Sequence, residues 1–102
     1  MQDREFFTGL IRMHILHHAM HGPIFGLWII EELSRHGYKV SAGTIYPILY
    51  GLERKGYLTS KNTQSARQRR RIYRATAAGR NALQSARHKV KELFGELFEE
   101  RE

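Results

Sequence analysis

The sequence predicts a mainly α-helical fold with one small β-hairpin, on three observations. Two short apolar-striped stretches at helical spacing, over 24–36 and 41–56, are separated by only a few residues. The pattern then turns to β-favouring residues over 57–74, on either side of a polar, basic middle. Finally Leu83, Ala86, Val90, Leu93 and Leu97 recur at steps of three and four along a last, long helix.

The first helix spans about Asp3 to His21. Asp3 can cap it, and Gly22-Pro23 ends it, because glycine closes a helix and proline cannot continue one. Leu10, Met13, Leu16 and Met20 line one side; Ile11, Ile15 and Ala19 line another. A helix apolar over so much of its girth should lie between two partners. The remaining strip carries His14, His17, His18 and His21. The second helix runs from about Ile24 to His36 and stops at Gly37. Its buried stripe is Phe25, Ile29, Ile30 and Leu33; Glu31, Glu32 and Arg35 mark a solvated side, and Trp28 lies off the stripe.

Tyr38-Lys39-Val40 turns the chain into the third helix, Ser41–Gly56. Ser41 is placed to cap it and Gly56 to close it. Ile45, Ile48, Leu49 and Leu52 form its apolar stripe, while Thr44, Tyr46 and Tyr50 lie opposite. Gly43 and Pro47 break the local rule. Proline inside a helix clashes with the carbonyl four residues back, at a cost of about 3 kcal/mol. The first turn is therefore expected to be irregular, or the helix to begin near Thr44. Short polar and aromatic groups at the front of such a helix suit entry into a DNA major groove.

After Gly56, Tyr57–Lys61 and Arg70–Arg74 read as two strands, with 62–69 as a polar tip. Lys61, Arg67, Arg69, Arg70, Arg71 and Arg74 fall in this stretch and no acid does, which points to phosphate contact. Thr76 then caps a last helix over about Ala77 to Arg101. Its heptad seam, widened by Phe94 and Phe98, asks for another helix, and a domain of this size has no core to spare for it. The arrangement is a winged helix-turn-helix over 1–76 followed by a dimerisation helix over 77–102. Basic residues gather at the hairpin and acids (Glu92, Glu96, Glu99, Glu100, Glu102) at the chain's end, as DNA at one pole and a dimer contact at the other would require.

Composition narrows the classes. The chain has 102 residues, a formal charge of +7 and no cysteine, so one small domain with a polyanionic partner is expected and thiolate metal sites are excluded. No apolar run is long enough to span a membrane and MQDREFF is no signal segment, so a soluble, cytoplasmic protein is expected. No nucleophile elbow, metalloprotease helix or phosphate-binding glycine loop is present, which argues against an enzyme and against a cofactor. A basic module for RNA or membrane is disfavoured, since the aromatics fall mostly at core spacing and no long basic amphipathic helix exists. The histidine strip reads first as a plain polar strip. A metal-responsive or pH-responsive regulator of the same fold is the alternative, although no carboxylate lies on that strip.

Four segments together resemble the PadR family of bacterial transcriptional regulators. They are Phe25-Gly26-Leu27, Ser41-Ala42-Gly43-Thr44-Ile45-Tyr46-Pro47-Ile48-Leu49, Leu52-Glu53 with Gly56-Tyr57-Leu58, and Arg71-Ile72-Tyr73-Arg74-Ala75-Thr76-Ala77-Ala78-Gly79. The single last helix is similar to the short subgroup of that family. The resemblance implies a homodimeric, ligand-responsive repressor of its own or neighbouring genes. Lys39, Ser41, Thr44, Tyr46, Lys61, Arg67, Arg69, Arg70 and Arg71 are the expected contacts to double-stranded DNA. Leu83, Ala86, Val90, Leu93, Phe94, Leu97 and Phe98 are the expected dimer contacts. A small hydrophobic or aromatic effector would lie near Leu10, Met13, His14, Phe94 and Phe98, unless the two phenylalanines simply fill the dimer core.

Overall fold

The computed structural model describes residues 4–64 and 69–98, without the side chains of Arg4, Gln64 and Arg69. Along the chain lie α1 (Arg4–His21), β1 (Ile24–Phe25), α2 (Gly26–Arg35), α3 (Ala42–Arg54), β2 (Leu58–Gln64), β3 (Arg69–Ala75) and α4 (Ala77–Phe98). The three strands form one antiparallel sheet in the order β1-β3-β2. With the helix-turn-helix in front of the hairpin, this is the winged helix-turn-helix expected.

The core is assembled from stripes on every helix. Ile11, Ile15, Leu16 and Ala19 of α1 meet Ile29 and Leu33 of α2, Ile45, Leu49 and Leu52 of α3, Leu58 and Tyr73 of the hairpin and Leu83 of α4, all buried. Helix α1 therefore commits its Ile11-Ile15-Ala19 side, plus Leu16, to the chain's own core. Leu10 remains 43% exposed.

Two helices end alike. In α2, Gly37 N–H bonds Ser34 C=O and Tyr38 N–H bonds Leu33 C=O; in α3, Gly56 N–H bonds Glu53 C=O and Tyr57 N–H bonds Leu52 C=O. Each is a Schellman closure, which needs a left-handed residue after the cap. Gly37 and Gly56 supply it, at φ of 86° and 82°. The start of α4 is sewn onto the second closure. Thr76 caps the helix by accepting the Gly79 N–H at 3.0 Å, and its hydroxyl donates to Gly56 C=O at 2.5 Å.

Four expectations need correction. Ile24 and Phe25 are not the first turn of α2 but a short strand, with Ile24 opposite Tyr73 and Phe25 opposite Ile72. Pairing gives the outer edge of β3 a partner, a long-range gain that local spacing does not encode. Helix α3 is regular from Ala42 through Pro47, so its first turn is not displaced to Thr44. Ser41 occupies the N-cap in extended backbone, but its side chain makes no capping bond; only its carbonyl accepts, from Thr44 and Ile45 N–H. The hairpin strands run further than expected, pairing out to Gln64 opposite Arg69.

Candidate nucleic-acid interface

Helix α3 buries Ile45, Leu49 and Leu52, so its outward stripe is set by geometry. Gly43, Pro47, Tyr50 and Arg54 follow at steps of four, three and four, and all are exposed. Composition singled out Tyr50 among these, though not as a contact. Gly43 and Pro47 stand out in the sequence as breaks in the helical rule, whereas Arg54 reads as an ordinary solvated residue. Ser41 and Lys39 are exposed just ahead of the helix, and Thr44 is half-buried.

Tyr46 is less free than its place suggests. It is half-buried, its ring lies against Gly26 at the start of α2, and Tyr50 stands 6.2 Å away. A small cleft of about 150 Å³ separates the two helices and the hairpin, lined by Phe25, Gly26, Leu27, Tyr46, Arg70 and Arg71. The Arg70 guanidinium sits 4.6 Å above the Phe25 ring, a cation–π contact that aims this side chain at the start of α2.

Strand alternation sorts the basic residues. Lys61 pairs with Ile72, so Lys61, Arg70 and Arg74 share one face of the hairpin. Arg74, part of the basic run but not of the named contact set, shares their face. Arg71 points to the opposite face, where its guanidinium reaches Asn62 Oδ1 at 3.4 Å and Glu53 at 4.0 Å. Glu53 also accepts the Ser60 hydroxyl at 2.6 Å. Arg71 is thus partly neutralised from within the chain. Arg69 opens β3, and Arg67 lies outside the described residues.

The far pole is α4. Val90, Leu93, Phe94, Leu97 and Phe98 are 42–68% exposed. Leu83 is not part of that surface. It is 4% exposed and belongs to the chain's own core, because the first half of α4 packs against α1; Ala86 is half-buried. The expected effector residues are divided. Met13 and Phe94 line one open groove of about 400 Å³ with Gln84, Arg87, His88, Val90 and Lys91. Phe98 packs on Phe94 at 4.9 Å. His14 instead faces the other way, onto His36 and Tyr38.

No carboxylate lies on the histidine strip of α1, but one reaches it from the neighbouring helix. Glu32 of α2 lies 3.5 Å from His18 Nε2 and 3.1 Å from His36 Nε2. Hydrogen bonds from His36 and Arg35 hold the Glu32 carboxyl below its usual range, against the opposing effect of desolvation. Burial, reinforced by neighbouring imidazoles, lowers the pKa of His14; burial also lowers that of His18, with Glu32 opposing. Among the described residues, no three His, Asp or Glu side chains converge closely enough to hold a metal ion. No helix among them is long and apolar enough to cross a membrane.

Residues 15–85 match the "Transcriptional regulator PadR-like family". The chain is 49% identical over 95 residues to "Transcriptional regulator Rv3488" of Mycobacterium tuberculosis, covering 93% of this chain and 89% of that protein. Among solved structures it is similar to a PadR family transcriptional regulator from Eggerthella lenta, with a TM-score of 0.78, 28% identity, and coverage of 95% of this chain and 88% of that one. It also resembles Bacillus subtilis PadR in complex with operator DNA, with a TM-score of 0.65, 24% identity, and coverage of 74% and 44%. At that identity the last likeness concerns the fold.

Proposed function

This chain belongs to the PadR-like family of transcriptional regulators, and we propose that it is a homodimeric repressor that binds an inverted-repeat operator in the cytoplasm. The observation that carries the reading is the pairing of α3 with the hairpin. Helix α3 turns Gly43, Pro47, Tyr50 and Arg54 outward, and its Tyr46 lines one cleft with Arg70 and Arg71 of the hairpin, whose Arg70 face also bears Lys61 and Arg74. A helix of this kind reads base edges, and a basic hairpin beside it neutralises phosphates. Lys39, Ser41, Thr44 and Tyr46 complete the contact set at the front of α3, and Arg67, Arg69 and Arg71 extend the charge of the hairpin.

Dimerisation follows from the unpartnered end of α4. Val90, Leu93, Phe94, Leu97 and Phe98 form a strip that one chain leaves in water, and a two-fold contact with the same strip removes it. The two α3 helices would then address half-sites about 34 Å apart. A small hydrophobic or aromatic effector in the Met13–Phe94 groove would change the angle between the α4 helices. It releases DNA only to the extent that it binds the non-DNA state better.

The test is a mobility shift on the promoter of the protein's own gene, with random duplex at the same salt as control. A specific shift is expected where random duplex shows none. Equal affinity for both would sink operator recognition, and sedimentation as a monomer at the concentration of the shift would sink the dimer.

A further inference from the structure

Five of the chain's six histidines meet along the seam between α1 and α2. His21, His17, His18 and His14 follow one another along α1, at ring separations of 4.8, 5.1 and 6.4 Å. His36, at the C-cap of α2, closes the series 4.8 Å from His14, and Tyr38 meets His14 edge-on at 5.5 Å. One carboxylate answers this row. Glu32 offers Oε2 to both His36 and His18, while its Oε1 accepts from Arg35 at 2.5 Å.

A single carboxylate can balance one imidazolium, and Arg35 already shares it. Any further proton on the seam meets like charge. Within α1 the neighbours are His17 and His21; from α2 and its cap they are Arg35 and His36. Lys39 follows in the turn. On the other flank of α1, Arg87, His88 and Lys91 of α4 line the groove beside Met13, the residue next to His14. His14 is half-buried against His36 and Tyr38, and burial and the neighbouring imidazoles oppose its charging.

The seam also occupies a mechanical position. His36 and Tyr38 belong to the closure that ends α2, and residues 39–41 lead from it directly into α3. His14 rests on that closure from α1, and α1 also packs on α4. The seam therefore links the turn that carries α3 with the helix that carries the exposed apolar strip.

We propose that the His14–His18–His36–Glu32 cluster is a proton-operated switch. Protonation beyond what Glu32 can balance drives His14 off His36 and Tyr38, shifts the 36–41 turn that carries α3, and weakens operator binding in mildly acid solution. The proposal rests on the operator-binding reading above. Its sign sets it apart from ordinary electrostatics. Protons added to histidines raise the positive charge, which alone tightens binding to any DNA.

The experiment uses the full chain, a duplex spanning its own promoter and a random duplex of equal length, at fixed ionic strength. Affinities are compared at about pH 7.5 and about pH 5.5, on either side of the ordinary histidine range. Promoter affinity should fall about tenfold or more, and random-duplex affinity should hold or rise. His14→Phe keeps a ring in place without a titratable nitrogen and should remove most of that fall. Trp28, the single tryptophan, lies edge-on to His18 at 5.2 Å and reports the seam without DNA. Its fluorescence should titrate across the same range in the wild type and far less in His14→Phe. Promoter affinity that is unchanged or higher in acid, or a His14→Phe profile that coincides with the wild type, overturns the switch. If the promoter is not preferred over random duplex even at the higher pH, operator recognition has failed instead. The difference between the Trp28 titrations of wild type and His14→Phe then decides the switch, and coincident traces overturn it.

Discussion

The ring of Tyr46 stands where a side chain on Gly26 would have to go: a Cβ built there falls 2.5 Å from Tyr46 Cζ and Oη. The contact joins the first residue of α2 to α3. It also sets the direction of an aromatic side chain at the front of α3, the end proposed to meet DNA.

Gly26 and Gly79 therefore make a controlled pair. Gly26→Ala meets the far end of the Tyr46 side chain rather than backbone, and a side chain can turn aside. Stability should change by less than about 1 kcal/mol, while operator affinity falls because Tyr46 is displaced. Gly79→Ala meets the backbone carbonyl of Tyr57, which already accepts the Thr76 N–H at 3.1 Å and has nowhere to move. It should cost about 1–3 kcal/mol, as overpacking does. Urea denaturation read beside a mobility shift distinguishes the two, and a Gly79→Ala midpoint equal to wild type would contradict the packing described.

The parts of this fold legible in the sequence are those fixed by local chemistry. Gly37 and Gly56 end helices because the closure needs a left-handed residue, and a glycine after an apolar stripe announces it. Thr76 caps α4 for similarly local reasons. What stayed hidden is non-local. Nothing near Ile24 says that β3 will offer it an edge. Nothing on α1 says that Glu32 will approach His18 across the helix pair. The heptad at Leu83 reads the same whether its own chain or a partner covers it. At the candidate interface, residue types located α3 and the hairpin, but only the backbone decides that Arg71 faces Glu53 while Arg74 joins Lys61 and Arg70.

Tyr73 offers a test of the core itself. It is fully buried, and its hydroxyl has no hydrogen-bond partner among the described residues. Burial also raises its phenol pKa. A buried polar group without a partner costs about 1–3 kcal/mol, so deleting it should cost nothing. Tyr73→Phe is expected to be as stable as wild type or more so by chemical denaturation. A loss above about 1 kcal/mol would mean the hydroxyl does have a partner, such as a bound water.

Stability should depend on pH through the same histidine seam. The folded pKa values of His14 and His18 are lowered, so below the ordinary histidine value the unfolded chain binds more protons than the folded one. Stability from these two groups is thus complete above about pH 6.5 and is lost as pH falls toward their folded values. Denaturation midpoints from about pH 7.5 down to about pH 5.5 should fall in the wild type and fall less in His14→Phe. A midpoint that rises on acidification would reverse the assignment.

On the hairpin, faces should matter more than charge count. Arg70, held over Phe25 on the face of Lys61 and Arg74, should act as a full phosphate contact, and Arg70→Gln should lower the slope of log affinity against log salt by about 0.9. Arg71, turned toward Glu53 and Asn62, should change that slope by clearly less when made glutamine. Equal slopes for both variants and the wild type would place the hairpin off the DNA.

Leu83 and Leu93 lie on the same seam of α4 but should fail differently. Leu83 is 4% exposed in the chain's own core, so Leu83→Ala removes packing from the folded subunit and should cost about 2–5 kcal/mol whatever the protein concentration. Leu93 is 52% exposed in one chain, so Leu93→Glu leaves the subunit core intact and puts a charge only where a partner helix would lie. The expected product is a folded monomer. Its melting temperature should not depend on concentration, whereas that of the wild type should rise with concentration by mass action. Operator affinity should drop sharply, since one α3 helix then has to bind a half-site without the other. A Leu93→Glu protein that sediments as a dimer and keeps its operator affinity would rule out this face of α4 as the subunit contact, and with it the coupling of an effector in the Met13–Phe94 groove to the spacing of the reading helices.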